Sequence, residues 1–166
     1  MIPMPGRSAR AASTARAGFG YKAQVTDNDD GVILDYAIEY GAAPDGPQLK
    51  PAIERIRRRA GRVPRAVTAD RGYGQPAVER DLHDLGVPMV AIPRQAATSA
   101  ARKTIEHHRR FCRLVKWRTG CEGRISYLKR SYGWDRTRLD GRHGAAIWCG
   151  HGVFAHNLLK IAGLAR

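Results

Sequence analysis

The sequence predicts a mixed α/β fold, and three of its features carry that prediction. Two segments of alternating apolar and polar residues, FGYKAQVT and GVILDYAIEYG, are joined by the turn cluster DNDDG. Behind them, short apolar runs alternate with stretches in which apolar residues return every three or four positions. The last third of the chain keeps that longer period almost throughout. A period of two marks half-buried strands, and a period of three to four marks helices.

Taken in order, the first 17 residues, MIPMPGRSARAASTARA, have no periodicity, no apolar stretch and no acid, and read as a disordered basic leader over 1–17. A secretory signal is excluded. The Arg-rich composition is shared with transit peptides, a reading the rest of the chain does not favour. A hairpin follows over 19–41. AAPDGP is a loop, after which Leu49, Ile53, Ile56 and Ala60 predict a helix over 46–60. RAVTAD is a short strand ending on Asp70, RGYG a loop, and 75–85 a helix closed by Gly86. VPMVAIP is a further buried strand. RQAATSAARK reads as a loop before a long basic helix over 104–132, broken at Gly133. A terminal helix over 144–162 sets Ile147, Trp148, Val153, Phe154, Leu158 and Ile161 at helical intervals, interrupted by Gly150 and Gly152. The order is strand, strand, helix, strand, helix, strand, helix, helix, in one fold unit without internal repeats.

Lys and Arg number 29 against 15 Asp and Glu, a formal charge of +14, and all but three of the acids lie at or before Glu106. The basic C-terminal third calls for a polyanionic partner. Nucleic acid fits better than membrane, because no apolar run approaches the roughly 20 residues that span a bilayer. Cys112, Cys121 and Cys149 form an odd, widely spaced set, which implies a reduced, cytoplasmic setting.

Two constellations carry chemistry. Asp70 opens DRGYG at the carboxyl end of a strand, where sites gather in α/β sheets, and the two glycines allow backbone and substrate to approach closely. The same position also suits an aspartate that caps a turn. In WRTGCEGRISYLKR, Arg118, Glu122 and Lys129 stand at offsets of four and seven, which return to nearly one helical face. A carboxylate between two cations suits a divalent ion beside phosphate, with a ladder of surface salt bridges as the plainer reading.

Together these motifs resemble the RNase H-like DDE transposases of bacterial insertion sequences, specifically those with a Y-R-E-K signature. The likeness runs through FGYKAQV, the PD of Pro44 and Asp45, WRTGCEGRISYLKRSYGWDRTRLDG and HNLLKIAGL, and so covers about residues 18–164. It implies an RNase H-like mixed sheet flanked by helices, with Asp70 as the second catalytic aspartate and Glu122 as the catalytic glutamate. Both would ligate Mg²⁺ or Mn²⁺, with Arg118 and Lys129 as basic partners. Val115 stands where the signature has its tyrosine. The family's first aspartate, on its first strand, has no counterpart: the leader holds no acid, Asp27, Asp29 and Asp30 belong to the hairpin turn, and Asp35 lies within the next strand. The resemblance therefore implies a C-terminal fragment over 18–164, lacking the first strand and catalytically impaired. The complete site would cleave and join DNA with three carboxylates around two divalent ions, whereas two carboxylates would hold metal weakly. Loss of a central strand would leave sheet edges bare and favour aggregation or partner dependence.

Arg113, Lys116, Arg124, Arg130, Arg136 and Arg138, with Arg109 and Arg110, would contact the backbone of element-end and target DNA. Trp117, Tyr127, Tyr132 and Trp134 are interleaved with them, and at least half of these aromatics are expected to pack in the core. The expected partners include a second copy of the chain and no membrane. A noncatalytic DNA-binding remnant is the main alternative. A zinc module built from His107, His108, Cys112 and Cys121, or from Cys149, His151 and His156, lacks the close cysteine pairs such sites use. The cysteines read better as small core residues, and His156 as a helix-packing residue.

Overall fold

A computed structural model of the chain describes residues 2–3, 20–41 and 43–165, with the side chains of residues 2, 3 and 120–122 outside that description. The chain, expected to form one unit, divides into two compact ones: Met1–Ala43 with Arg124–Arg166, and Pro44–Gly123. The expected α/β class is observed. Where one mixed sheet was expected, the described residues form a three-stranded and a two-stranded sheet.

In the first unit, β1 (Ile2–Pro3), β2 (Tyr21–Asp27) and β3 (Ile33–Tyr40) make an antiparallel sheet in that order. Two residues of the stretch read as a leader thus pair with β2, Ile2 opposite Ala23; residues 4–19 lie outside the description. The hairpin turn forms because Asn28 folds its side chain back: Oδ1 accepts from Asp30 N at 3.1 Å and Val32 N at 2.9 Å. Gly31 supplies the positive φ of 76° that the turn needs.

Helices α5 (Gly120–Tyr132) and α6 (Gly141–Leu164) complete that unit from Arg124 onward. Its core joins Ala23, Ile33 and Ile38 of the sheet to Leu128, Trp134, Ala145, Cys149 and Val153. The expected interruptions of α6 are close-packing points. A Cβ on Gly152 would fall 2.5 Å from Trp134 Nε1, and one on Gly150 equally close to Tyr36 Oη at 2.5 Å. Polar staples then fix α6 on β3: Asn157 accepts from Ile33 N at 2.8 Å and donates to Ile33 O at 2.8 Å. Buried His156 donates to Gly31 O at 2.9 Å, the packing role its sequence context suggested. On the opposite side of α6, Phe154, Leu158, Ile161 and Leu164 stay exposed.

The second unit comprises α1 (Gly46–Ala60), β4 (Ala66–Thr68), a 3₁₀ turn (Arg71–Tyr73), α2 (Pro76–Asp84), β5 (Met89–Ala91), α3 (Ala100–His107) and α4 (Arg109–Arg118). Strands β4 and β5 pair in parallel, Val67 opposite Val90, as a strand-helix-strand alternation requires. Leu49, Ile53 and Ile56 of α1 are buried at the spacing their periodicity predicted, whereas Ala60, expected with them, is exposed at the helix end; Val78 and Leu82 of α2 are buried as well. The long helix expected over 104–132 is instead three helices, and the first begins inside the expected loop. Capping side chains decide this. Ser99 accepts from Arg102 N at 3.2 Å and starts α3, while His108, with ψ 137°, accepts from Arg110 N at 3.3 Å and starts α4. Apolar periodicity runs on through such breaks unchanged, so it did not reveal them.

Arg102 ties the second unit together. Its guanidinium meets Glu79 at 2.9 Å, Glu106 at 2.8 Å and the Ile92 carbonyl at 2.8 Å, and it stacks over Phe111 at 5.6 Å. Arg94 adds a further ion pair to Glu79. Among the described residues, no helix is long and apolar enough to cross a membrane.

Candidate catalytic carboxylates

Strand β4 carries the chain to Asp70, which leaves it in extended backbone, φ −73° and ψ 172°, and caps the 3₁₀ turn. The Gly72 N–H donates to Asp70 Oδ1 at 2.7 Å. The capping role and the position at a strand end are therefore both realised, and the capping bond orients the carboxylate. The loop beyond is clamped to the segment after β5. Gln95 donates from Nε2 to Gly72 O at 2.6 Å and from its backbone N to Gly74 O at 3.3 Å. A Cβ on Gly74 would fall 2.0 Å from the Pro93 carbonyl oxygen, so only glycine fits there. The close approach expected of this glycine-bearing turn is an approach of one backbone to another.

Asp45 reaches the same turn from the start of α1. A Cβ placed on Gly72 would lie 2.8 Å from Asp70 Oδ1 and 3.2 Å from Asp45 Oδ2, so the two carboxylates flank one glycine. Tyr73 registers them both: burial pushes its phenol up first, and the negative charges of Asp45 and Asp70 push it further. Sequence pattern assigns Asp45 no role beyond membership of the PD pair, and only tertiary proximity singles it out. Among the described residues, no three of His, Cys, Asp and Glu are grouped so as to hold a metal ion.

Arg118 closes α4, which packs against β4 and β5, the strands framing the Asp70 turn. Its Nε is buried without a hydrogen-bond partner among the described residues. Glu122 stands in the first turn of α5, with its side chain outside the description. The single helix expected to carry Arg118, Glu122 and Lys129 is corrected: α4 ends at Arg118, α5 begins at Gly120, and Thr119 between them takes helical dihedrals without belonging to either helix. Glu122 and Lys129 share α5, two turns apart, and Lys129 belongs to the first unit.

The chain matches the model of the transposase DDE domain over residues 1–158. It belongs to that transposase family. No curated protein and no solved structure matches it. The family match includes residues 1–17, which the sequence alone left unpatterned.

The cations chosen from sequence divide by exposure. Arg113 and Lys116 on α4, Arg130 on α5, and Arg136 and Arg138 in the turn before α6 are exposed. Arg124 is instead part-buried in an ion pair with Asp27, which closes β2. Asp35 is buried within β3. Of the aromatics, Trp134 is fully buried, Trp117 and Tyr132 are half-buried, and Tyr127 is exposed. The core assignment holds for Cys149, whose thiol burial pushes up to about 11. It is corrected for Cys112, which is exposed and donates from Sγ to Glu106 O at 3.2 Å. Cys112 sits on the outer face of α4, a direction that apolar character alone does not reveal.

Proposed function

We propose that this chain carries part of the metal-dependent strand-cleavage and strand-transfer site of a bacterial insertion-sequence transposase, with Asp70 and Glu122 as metal-binding carboxylates. The match to the transposase DDE domain over residues 1–158 carries the reading. The placement of Asp70, at a strand end and beside a second carboxylate, supports it. The RNase H-like arrangement belongs to the same proposal, supported by the order of a hairpin followed by a parallel strand-helix-strand unit.

Hard carboxylate oxygens are the donors that Mg²⁺ and Mn²⁺ prefer, so the donor set fits such ions. Asp70 keeps Oδ2 for a metal while the Gly72 N–H holds Oδ1. Glu122 supplies the second ligand. Bound there, a divalent ion would stabilise charge on the oxygens exchanged at phosphorus. Arg118 and Lys129 are the basic partners that the resemblance assigns for phosphate oxygens. Arg113, Lys116, Arg130, Arg136 and Arg138 hold the DNA backbone in the cytoplasm, with Arg124 reaching phosphate only if it leaves Asp27. Two carboxylates of the family triad lie in this assignment, so the chain by itself binds metal weakly and cleaves poorly.

Mn²⁺ titration tests the assignment. Asp70→Ala and Glu122→Ala should each weaken binding about tenfold or more, the usual consequence of losing one oxygen ligand from a small set. Unchanged affinity in both variants would remove the shared site. A second reading, a noncatalytic DNA-binding relative, draws on the capping bond of Asp70, which alone justifies an aspartate there. Under that reading Asp70→Asn leaves DNA affinity and metal response unaltered.

A further inference from the structure

We infer that the C-terminal end of α1 is a separate DNA-backbone site, one helix length of about 20 Å from the Asp45 and Asp70 carboxylates, built from Arg57, Arg58, Arg62 and Arg65. Between Arg55 and Arg65 the sequence places six arginines and no acid. Arg57, Arg58 and Arg59 lie in the last turn of α1, Gly61 ends the helix with φ 69°, and Arg62 and Arg65 follow before β4. All five of these arginines are exposed. Arg59 donates to the Arg55 carbonyl at 3.2 Å, whereas Arg57, Arg58, Arg62 and Arg65 have no ion pair or hydrogen bond among the described residues. Arg62, Val63, Pro64 and Arg65 also line an open recess of about 660 Å³.

Complementing the helix dipole explains cations in the last turn, at a few tenths of a kcal/mol each. It does not explain Arg62 and Arg65, which lie beyond the helix. Crowding unpaired guanidinium groups raises the energy of the free protein, and a row of phosphates relieves it. The position matters as well. Asp45 at the start of α1 stands beside Asp70, so the two ends of one helix carry opposite charge. Its 15 residues separate those ends by roughly 22 Å at 1.5 Å per residue. Duplex DNA rises about 3.4 Å per base pair, so a duplex running along α1 would meet the arginines about six base pairs from the carboxylates. The site therefore anchors flanking DNA and takes no part in chemistry. It rests on the transposase reading, which supplies duplex DNA as the polyanion.

The test is equilibrium binding of the full chain to a labelled duplex over a range of salt concentrations. Replacing Arg57, Arg58, Arg62 and Arg65 together by Ala should lower the slope of log affinity against log salt by about two to four, near 0.9 for each phosphate no longer neutralised. Low-salt affinity should fall at least about tenfold, and the fourfold Lys variant should recover most of it. An Ala variant with the wild-type slope overturns the inference. If Arg113→Ala with Lys116→Ala alone changes the slope, DNA binding stands and the α1 site falls. If the wild type shows no salt dependence, the DNA reading fails and takes this site with it. Phenylglyoxal labelling of the wild type needs no variant: DNA should shield these four arginines, and undiminished labelling would overturn the site.

Discussion

The carboxylates of Asp45 and Asp70 flank Gly72, one oxygen from each lying within 3.2 Å of where a Cβ on that glycine would sit. Asp70 is also bonded to the Gly72 N–H at 2.7 Å. Gly72→Ala therefore turns the Asp70 carboxylate away and weakens that bond, a loss of about 1–2 kcal/mol. Chemical denaturation should show that loss, and Mn²⁺ titration a weaker site. Wild-type values in both measurements would separate Gly72 from the carboxylates.

Tyr73 offers an independent readout of the same pair. Burial raises its phenol, and the charges of Asp45 and Asp70 raise it further. Removing one negative charge makes the phenolate easier to form, so Asp45→Asn should lower the Tyr73 titration while burial keeps it above that of a free tyrosine. Site-labelled NMR titration reads this directly. An unmoved titration would place the Asp45 charge too far away to matter.

Gly74 is required for its size. Its Cβ would stand 2.0 Å from the Pro93 carbonyl oxygen, a backbone atom that cannot swing aside. Gly74→Ala should cost about 3 kcal/mol through forced separation of the Asp70 turn from the Pro93–Gln95 segment. Denaturant midpoints measure this, and a shift below about 0.5 kcal/mol would contradict the close approach.

Arg102 joins Glu79, Glu106 and the Ile92 carbonyl with a side chain only 11% exposed. Truncation takes the guanidinium from both carboxylates and from the Ile92 carbonyl, leaving Arg94 alone to Glu79 and Glu106, so Arg102→Ala should cost about 3 kcal/mol. Arg102→Lys should recover little, because an ammonium group cannot reproduce the guanidinium fork. Full rescue by lysine in thermal melts would show that charge alone suffices.

The same network sets an acid limit. Burial raises Glu106, but hydrogen bonds from the Arg102 side chain and the Arg94 backbone outweigh it and hold the carboxyl below its usual range. A folded value below the unfolded one gives stability that is present above the ordinary glutamate range and lost as pH falls through the folded value. Glu106→Gln should flatten the decline of Tm below about pH 4.5. Parallel declines in the two proteins would rule Glu106 out as a contributor.

Reading the chain alone was enough to place the hairpin, α1, β4, α2 and β5, because each rests on local periodicity or turn chemistry. The Asn28 turn, the Gly61 end of α1 and the buried faces of α1 and α2 follow from interactions within a few residues. It also placed Asp70 at a strand end and gave the transposase resemblance that the family match supports. It failed over 94–132, where Ser99 and His108 cap helices inside what periodicity reads as a loop and one long helix. Serine and histidine also occur in loops and helices without capping, so residue type alone did not mark these boundaries.

What only the tertiary structure decided is which distant residues meet. Asp45 stands beside Asp70 although 24 positions lie between them, and Arg124 is taken up by Asp27 and not left at the surface. Local sequence carries no information about such encounters, because they arise when apolar faces pack and bring loop ends together. The residue types that bear charge were legible from the beginning. Which of those charges are paired, buried or free was determined by the fold.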